Sequence, residues 1–442
     1  MRWLLHLIFG AICAAAGSFR VRPSPQSVCA SAGGGQSGYY DFASSENDSK
    51  HLFFWMAESR GDPANDPVIL WMSGGPGASS VAFGLFQELG PCLIDGPNGT
   101  KSNPYAWNNN ANVIFVDQPT NVGFSYSNSP VTNLEDATSD MYNFLTAFMN
   151  QFPQYAHQDF YIIGESYGGT WVPALARKIH HRQSSPMAKL VRSTSGIRET
   201  HINLKGIGLG NAQLSQRLQW PGFYPTGCLG DSPIYNQSTC AVTESSMPRC
   251  DKMLQVCSDL DSHADVCSNV LGYCRERSVY FIFAEHLNPY DFRKSCPDGG
   301  LCYKEADWIA EYLNSSFVKN QLGVAANTSF DIIDFELGQY FEESGDMSLD
   351  TVAWAGDLLD QGYKVLAYAG NKDWFCNSAG EKNLVHNIRW RHQPAFQARE
   401  YQPYRQNGRS IGTFKQERGL SLVEMFDAGH MVPPTSRKNP CF

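Results

Sequence analysis

Gly164-Glu165-Ser166-Tyr167-Gly168 sets a serine between two glycines, directly after the apolar run 159–164 (DFYIIG) and before helical periodicity from Gly169 through His180. A strand-to-helix turn this tight pushes the serine hydroxyl out toward a substrate, and the flanking positions must lack bulk for it to close. A hydroxyl at its ordinary pKa is a weak nucleophile and needs a base. Of the 11 histidines, only His430 follows a buried-looking run, 421–426, in a glycine-flanked loop, Asp427-Ala428-Gly429-His430-Met431-Val432-Pro433. Asp373 ends a similar run, 363–368, through Ala369-Gly370-Asn371-Lys372-Asp373. Serine, acid and histidine in that order, each at a strand end, point to nucleophilic acyl chemistry. His430 takes the Ser166 proton, and Asp373 fixes the imidazole tautomer and stabilises its charged form. Singly, Asp373 reads as a helix cap and His430 as a satisfied loop residue; order and placement together favour catalysis.

The elements that must position these groups are legible around them. Residues 67–72 (PVILWM) read as a buried strand ending in Ser73-Gly74-Gly75-Pro76-Gly77. Such small residues let backbone N–H groups approach a developing oxyanion, although an ordinary Gly/Pro turn has the same composition. Further strands are expected at 111–117 and 204–209, helices at 81–89 and 136–152, and a hairpin over 38–58. The polar stretch 182–200 reads as an exposed loop. This rhythm implies an α/β fold of the α/β-hydrolase type, with a mostly parallel central sheet and helices on both faces. The rhythm fades over 212–345, where cysteines cluster, and an inserted cap domain pinned by disulfides is expected there. Residues 38–211 and 346–442 then form the two parts of the core, and 18–37 a flexible N-terminal segment.

The chain has 442 residues, 42% of them hydrophobic, which is enough for a large core. Its net charge of −9 and lack of any basic run argue against nucleic acid and anionic membranes as partners and suit an acidic compartment. Residues 1–17 read as a secretory signal: Arg2, an apolar run too short to span a bilayer, then small residues. No other stretch is long and apolar enough to span. The expected destination is the secretory pathway, with a vacuole, lysosome or the extracellular space at its end. The 13 cysteines lack C-x-x-C pairs, which favours disulfides over metal; neither metal nor cofactor is expected. Sequons at Asn47, Asn98, Asn236, Asn314 and Asn327 agree with export. The cap cysteines allow many pairings from sequence alone.

Together these motifs, with Asn112-Val113-Ile114-Phe115-Val116-Asp117-Gln118-Pro119 and Val122-Gly123-Phe124-Ser125-Tyr126, resemble the serine carboxypeptidase family from about residue 38 to 433. The resemblance implies Ser166, Asp373 and His430 as triad, and the N–H groups of Gly75 and Tyr167 as oxyanion hole. It implies that Glu88 and Glu165 share protons with the C-terminal carboxylate of a peptide or protein, with Ser73 and Gly74 beside them. Without it, Glu165 reads as an exposed elbow residue and Glu88 as a helix-surface charge. It places Tyr167, Tyr290, Tyr303, Phe375 and Met431 around the scissile bond and Cys376 as a free thiol. It also implies the pairs Cys228–Cys240, Cys250–Cys274, Cys257–Cys267 and Cys296–Cys302, with Cys29, Cys92 and Cys441 unassigned.

The chain departs from the family pattern in three places. Ser73 stands where relatives usually have Asn, whose amide binds the substrate carboxylate; a hydroxyl is shorter and donates once. Ala78 and Thr328 stand where a core-to-cap disulfide is usual, so a looser cap is expected. Relatives continue into a terminal helix, whereas Ser436 to Phe442 has no helical periodicity. The expected activity is release of C-terminal residues at acidic pH through an acyl-enzyme, by a monomer or homodimer. The alternatives are an acyltransferase on the same scaffold and a catalytically impaired, truncated member.

Overall fold

The computed structural model describes residues 17–435, apart from 32, 46–47, 186–200, 230–232, 259–263 and 298. The signal read over 1–17, save its last residue, most of the 182–200 loop, Asn47, Cys441 and the tail from Ser436 lie outside the described residues.

Six parallel strands carry the molecule: β4 (Val68–Met72), β7 (Asn112–Val116), β9 (Phe160–Ser166), β10 (Leu204–Ala212), β13 (Lys364–Gly370) and β16 (Leu420–Met425). Their order is β7-β4-β9-β10-β13-β16. Antiparallel strands β1 (Ser18–Pro23), β2 (Gln36–Ser45) and β3 (Asp48–Ala57) extend the β7 edge, and short β8 (Tyr126–Ser127) pairs with β3. A hairpin of β14 (Gln402–Gln406) and β15 (Arg409–Glu417) extends the β16 edge. Two ribbons lie apart from the sheet: β5 (Cys92–Ile94) with β6 (Thr100–Ser102), and β11 (Leu287–Asn288) with β12 (Asp291–Ser295).

Parallel strands are covered on both faces and therefore read as continuous apolar runs. All five residues of β7 are buried; Val113 and Phe115 pack with Trp71 on one face, Ile114 and Val116 with Leu70 and Ile162 on the other. The helix Gly168–Ser184 buries Trp171, Val172, Leu175, Ala176 and Ile179, an apolar stripe at helical spacing that lies on the second face. Beside it, the helix Leu134–Gln151 is started by Asn133, whose side chain accepts from Asp136 N, and buries Leu134, Met141, Phe144, Leu145 and Phe148. Each large side chain so buried contributes about 1.5–3 kcal/mol. On the first face, Val81–Leu89 winds as a π-helix with all nine residues buried.

Two expectations need correction. The segment 18–37 begins as β1, not as flexible chain: Phe19 and Val21 alternate inward onto the core, and a disulfide Cys29–Cys92 anchors the stretch between β1 and β2. The insertion 212–345 is also not one unit. Its first part has its own apolar cluster, with Trp220, Phe223, Leu254, Leu271 and Ile282 around the bridges Cys250–Cys274 and Cys257–Cys267. Its later helices, Lys304–Asn314 and Phe335–Glu343, return to the sheet: Ile309, Leu313, Leu337 and Phe341 belong to the clusters that cover its two faces.

Candidate active site

The C-terminal ends of β4, β9, β10, β13 and β16 lie along one edge of the sheet and deliver Ser73, Ser166, Asn211, Asp373 and His430 to the same region. Ser166 has φ 61°, left-handed backbone that a side chain occupies at a cost of about 1–3 kcal/mol. The surroundings hold it there. A Cβ on Gly164 would lie 2.8 Å from Met72 O, and one on Gly168 would lie 2.7 Å from the same oxygen. Ser166 O accepts from Gln213 N at 2.8 Å. A Cβ on Gly74 would overlap Tyr167 N and Glu165 O, so this glycine brings the Gly75 loop against the turn.

His430 Nδ1 lies 2.6 Å from Asp373 Oδ2, and both groups are buried. The same Asp373 oxygen accepts from Asn211 Nδ2 at 2.8 Å and Cys376 N at 3.2 Å. Three donors converging on one oxygen hold the carboxyl in a single orientation. Asn211 also donates to Cys376 O at 3.1 Å and accepts from Gly370 N at 3.0 Å. His430 N donates to Tyr290 O at 2.7 Å, fixing the loop from β16 on the β11–β12 ribbon. Ser166 and His430 line one cavity of about 250 Å³, so the two residues share one face.

Glu165 and Glu88 are both buried, at 6% and 1% exposure, against the reading of an exposed elbow residue and a helix-surface charge. Glu88 is buried because the whole Val81–Leu89 turn lies under the sheet edge. The two carboxyls lie close together in this buried place, where both cannot carry charge without strong repulsion. Burial, then the Glu88 charge, hold the Glu165 carboxyl well above the usual carboxylate range. Glu165 Oε1 lies 4.0 Å from His430 Nε2.

Ser73 lines the cavity, and its Oγ accepts from Trp71 Nε1 at 3.0 Å, leaving its own proton for a partner. Gly74, Gly75, Tyr290, Tyr303, Phe375 and Met431 line the cavity as well. The Tyr167 side chain does not. It packs on Trp171 and Phe341 below the turn and donates to Asp346 O at 3.2 Å, so only its backbone N–H is placed for the site. Cys376, expected at the substrate, is a free, fully buried thiol that is not among the residues lining the cavity; burial, then Asp373, push its pKa well up. Thiol, Asp373 and His430 offer ligand-type atoms within 4.8 Å of one another, a consequence of the His430–Asp373 pair.

The structure joins Cys228–Cys240, Cys250–Cys274, Cys257–Cys267 and Cys296–Cys302. At Ala78, which leaves no place for a core-to-cap disulfide, backbone bonds make the tie: Ser79 N to Ile332 O and Asp334 N to Gly77 O, each 2.9 Å. Asn98, Asn236 and Asn327 are exposed; Asn314 is half-buried. Sequence reasoning missed Asn211, whose only signal is its place at a strand end, and the Gln213, Trp220, Phe223 and Arg275 wall of the cavity.

Comparison with known proteins agrees with this geometry. The family model described as serine carboxypeptidase matches residues 25–440. Carboxypeptidase Y homolog A of Sclerotinia sclerotiorum is 39% identical over 90% of this chain and 69% of its own length. Carboxypeptidase Y of Komagataella phaffii is 37% identical over 91% of this chain and 73% of its own. A prohormone-processing carboxypeptidase from Saccharomyces cerevisiae superposes with a TM-score of 0.75 at 21% identity, over 95% of this chain and 93% of that one, and shares the fold.

Proposed function

We propose, from the premise that this chain belongs to the serine carboxypeptidase family and is a serine-type carboxypeptidase, that it releases C-terminal residues from peptides in acid through an acyl-enzyme. Ser166 Oγ attacks the last peptide carbonyl while His430 Nε2 takes its proton, and Asp373 holds the Nδ1 side of the ring. The N–H groups of Gly75 and Tyr167 stabilise the oxyanion. His430 then protonates the leaving amine, and a water activated by the same imidazole hydrolyses the ester.

The observation that carries this reading is the buried carboxyl pair Glu88–Glu165 beside Ser166, with Glu165 raised by burial and by the Glu88 charge. A protonated pair donates to a terminal carboxylate, and Ser73 has a free proton for the same anion. An ionised Glu165 would instead repel that anion and pair with the His430 imidazolium 4.0 Å away. Activity in acid is the consequence. Five disulfides among the described residues support a site of action in the secretory pathway. The test is a timed mass spectrum of a peptide digest at pH 5. Residues should leave one by one from the C-terminus, and Ser166→Ala should stop them with the circular-dichroism spectrum unchanged. Internal cleavage, or turnover by the alanine variant, would overturn the assignment.

A further inference from the structure

The sheet order β4-β9-β10 puts two different walls on either side of Ser166. On the β4 side lie Ser73, Gly74 and the Glu165 carboxyl; on the β10 side Gln213 bonds its backbone N–H to Ser166 O at 2.8 Å. If the terminal carboxylate occupies the first side, the side chain of the penultimate residue must fall on the second. That second wall is apolar along its sides, with Trp220, Phe223 and Met347, and carries Gln213, Gln216 and Arg275 as its polar groups. Arg275 is the only lysine or arginine among the described residues that line the cavity. It ends the helix Ala264–Arg275, which the bridges Cys250–Cys274 and Cys257–Cys267 hold in place. Its Nη1 donates to Glu342 Oε2 at 2.8 Å, and Glu342 Oε1 accepts from Ser268 Oγ at 3.2 Å. The counter-ion orients the guanidinium, whose other N–H groups remain for a ligand.

We propose that Arg275 is a specificity-determining residue that selects substrates with an acidic side chain, glutamate above all, at the penultimate position. This rests on a peptide bound with its terminal carboxylate at Glu88 and Glu165, as the proposed function requires. The methylenes of the glutamate lie along the cavity face of the packed Trp220 and Phe223 rings, and its carboxylate takes the charge-assisted bonds that the guanidinium fork offers. Glu342 competes for the same cation, so it tempers the preference it also makes possible.

N-blocked dipeptides with C-terminal leucine and penultimate Glu, Phe or Lys, assayed at pH 5.5 with the whole enzyme, test this. The quantity read is the ratio of kcat/KM for Glu to that for Phe. Arg275→Gln should lower the ratio about tenfold or more, the loss of one charge-assisted bond. Glu342→Gln, which frees the cation, should raise it. If Arg275 only ties the cap to the core, both variants lower the unfolding temperature and leave the ratio within about twofold, which overturns the proposal. Turnover of the Phe substrate with an unmoved ratio sinks this inference alone; no turnover of any dipeptide by the unaltered enzyme sinks it together with the reading it rests on.

Discussion

Asn211 donates its side-chain amide to Asp373 Oδ2 at 2.8 Å, the same oxygen that takes the His430 Nδ1 proton at 2.6 Å. Asp373 is therefore oriented from two sides, by the His430 ring and by the end of the neighbouring parallel strand β10. Asn211 has φ 37°, which an asparagine tolerates better than most side chains. Asn211→Gly keeps that backbone and removes the amide. It should lower kcat about ten- to hundredfold, the scale of a small misplacement in a site, with KM little moved. An unchanged kcat would show that packing alone positions Asp373.

The Glu88–Glu165 pair predicts the pH dependence of binding. The Glu165 carboxyl is raised, so it stays protonated above the ordinary carboxyl range and ionises only as pH rises further. KM for peptides should be low in acid and climb as pH rises beyond the ordinary carboxyl range, while Glu165→Gln, which cannot ionise, should flatten the climb. A KM for the unaltered enzyme that is level from about pH 4 to 8 would remove the pair from carboxylate binding.

What the sequence made legible is what local pattern encodes. The turn at Ser166, the strand ends at Asp373 and His430 and the loop at Gly74 each arise from short runs of apolar and small residues, and the sheet delivers them to one edge. What it left hidden depends on contacts between distant segments. Glu88 reads as a surface charge because its helix is short and its burial comes from the sheet above it. β1 looks like a free leader because six alternating residues identify a strand only once β2 is beside them. Arg275 is one arginine in a cysteine-rich stretch, and nothing local shows that it faces the nucleophile's cavity. Asn211 looks like the residue after a glycine until β13 brings Asp373 against it.

The Cys29–Cys92 bridge closes 63 residues of chain, and both cysteines are buried. Loop-closure entropy for that length gives about 4 kcal/mol of stabilisation. Replacing both cysteines by serine should shift the denaturant midpoint by that order and loosen the segment before β2, read as faster amide exchange around Val28, whose carbonyl accepts from Tyr312 Oη at 2.8 Å. A midpoint unmoved by the double replacement would show that the apolar contacts of β1 suffice.

Asn314 should carry no sugar although its sequon is intact. Its Nδ2 donates to Ala310 O at 2.9 Å and Phe330 O at 2.8 Å, and its Oδ1 accepts from Phe330 N at 3.0 Å. A glycosylated amide keeps a single N–H, so the sugar would break one of these bonds in a half-buried place. Asn98, Asn236 and Asn327 are exposed and should be the occupied sites. Glycopeptide mass spectrometry after expression in a eukaryotic host decides it; a glycan on Asn314 would refute the argument.

Buried carboxyls away from the nucleophile set the direction of stability with pH. Burial pushes Asp117 up to about 6 against the bonds it accepts from Ser79, Val81 and Phe124, and pushes Glu381 well above the usual range. A folded state whose acids are raised holds protons that the unfolded chain has already released, so the free energy of unfolding falls as pH rises through that interval. Asp117 alone, raised to about 6, makes the fold roughly 3 kcal/mol less stable at neutral pH than at pH values where both states are protonated. Asp41 and Asp360 act oppositely: their pairing with Arg20 and Arg391 lowers them, so the stability they add is lost only at pH below the ordinary carboxylate range. The unfolding temperature should therefore be highest near pH 4–5 and fall steadily toward pH 8. Glu381→Gln, which removes a buried group that must otherwise ionise, should make the fall shallower. A protein that grows more stable from pH 5 to 8 would mean that Asp117 and Glu381 hold their protons no higher in the fold than in the unfolded chain, and an interior adapted to acid would be the wrong description of this chain.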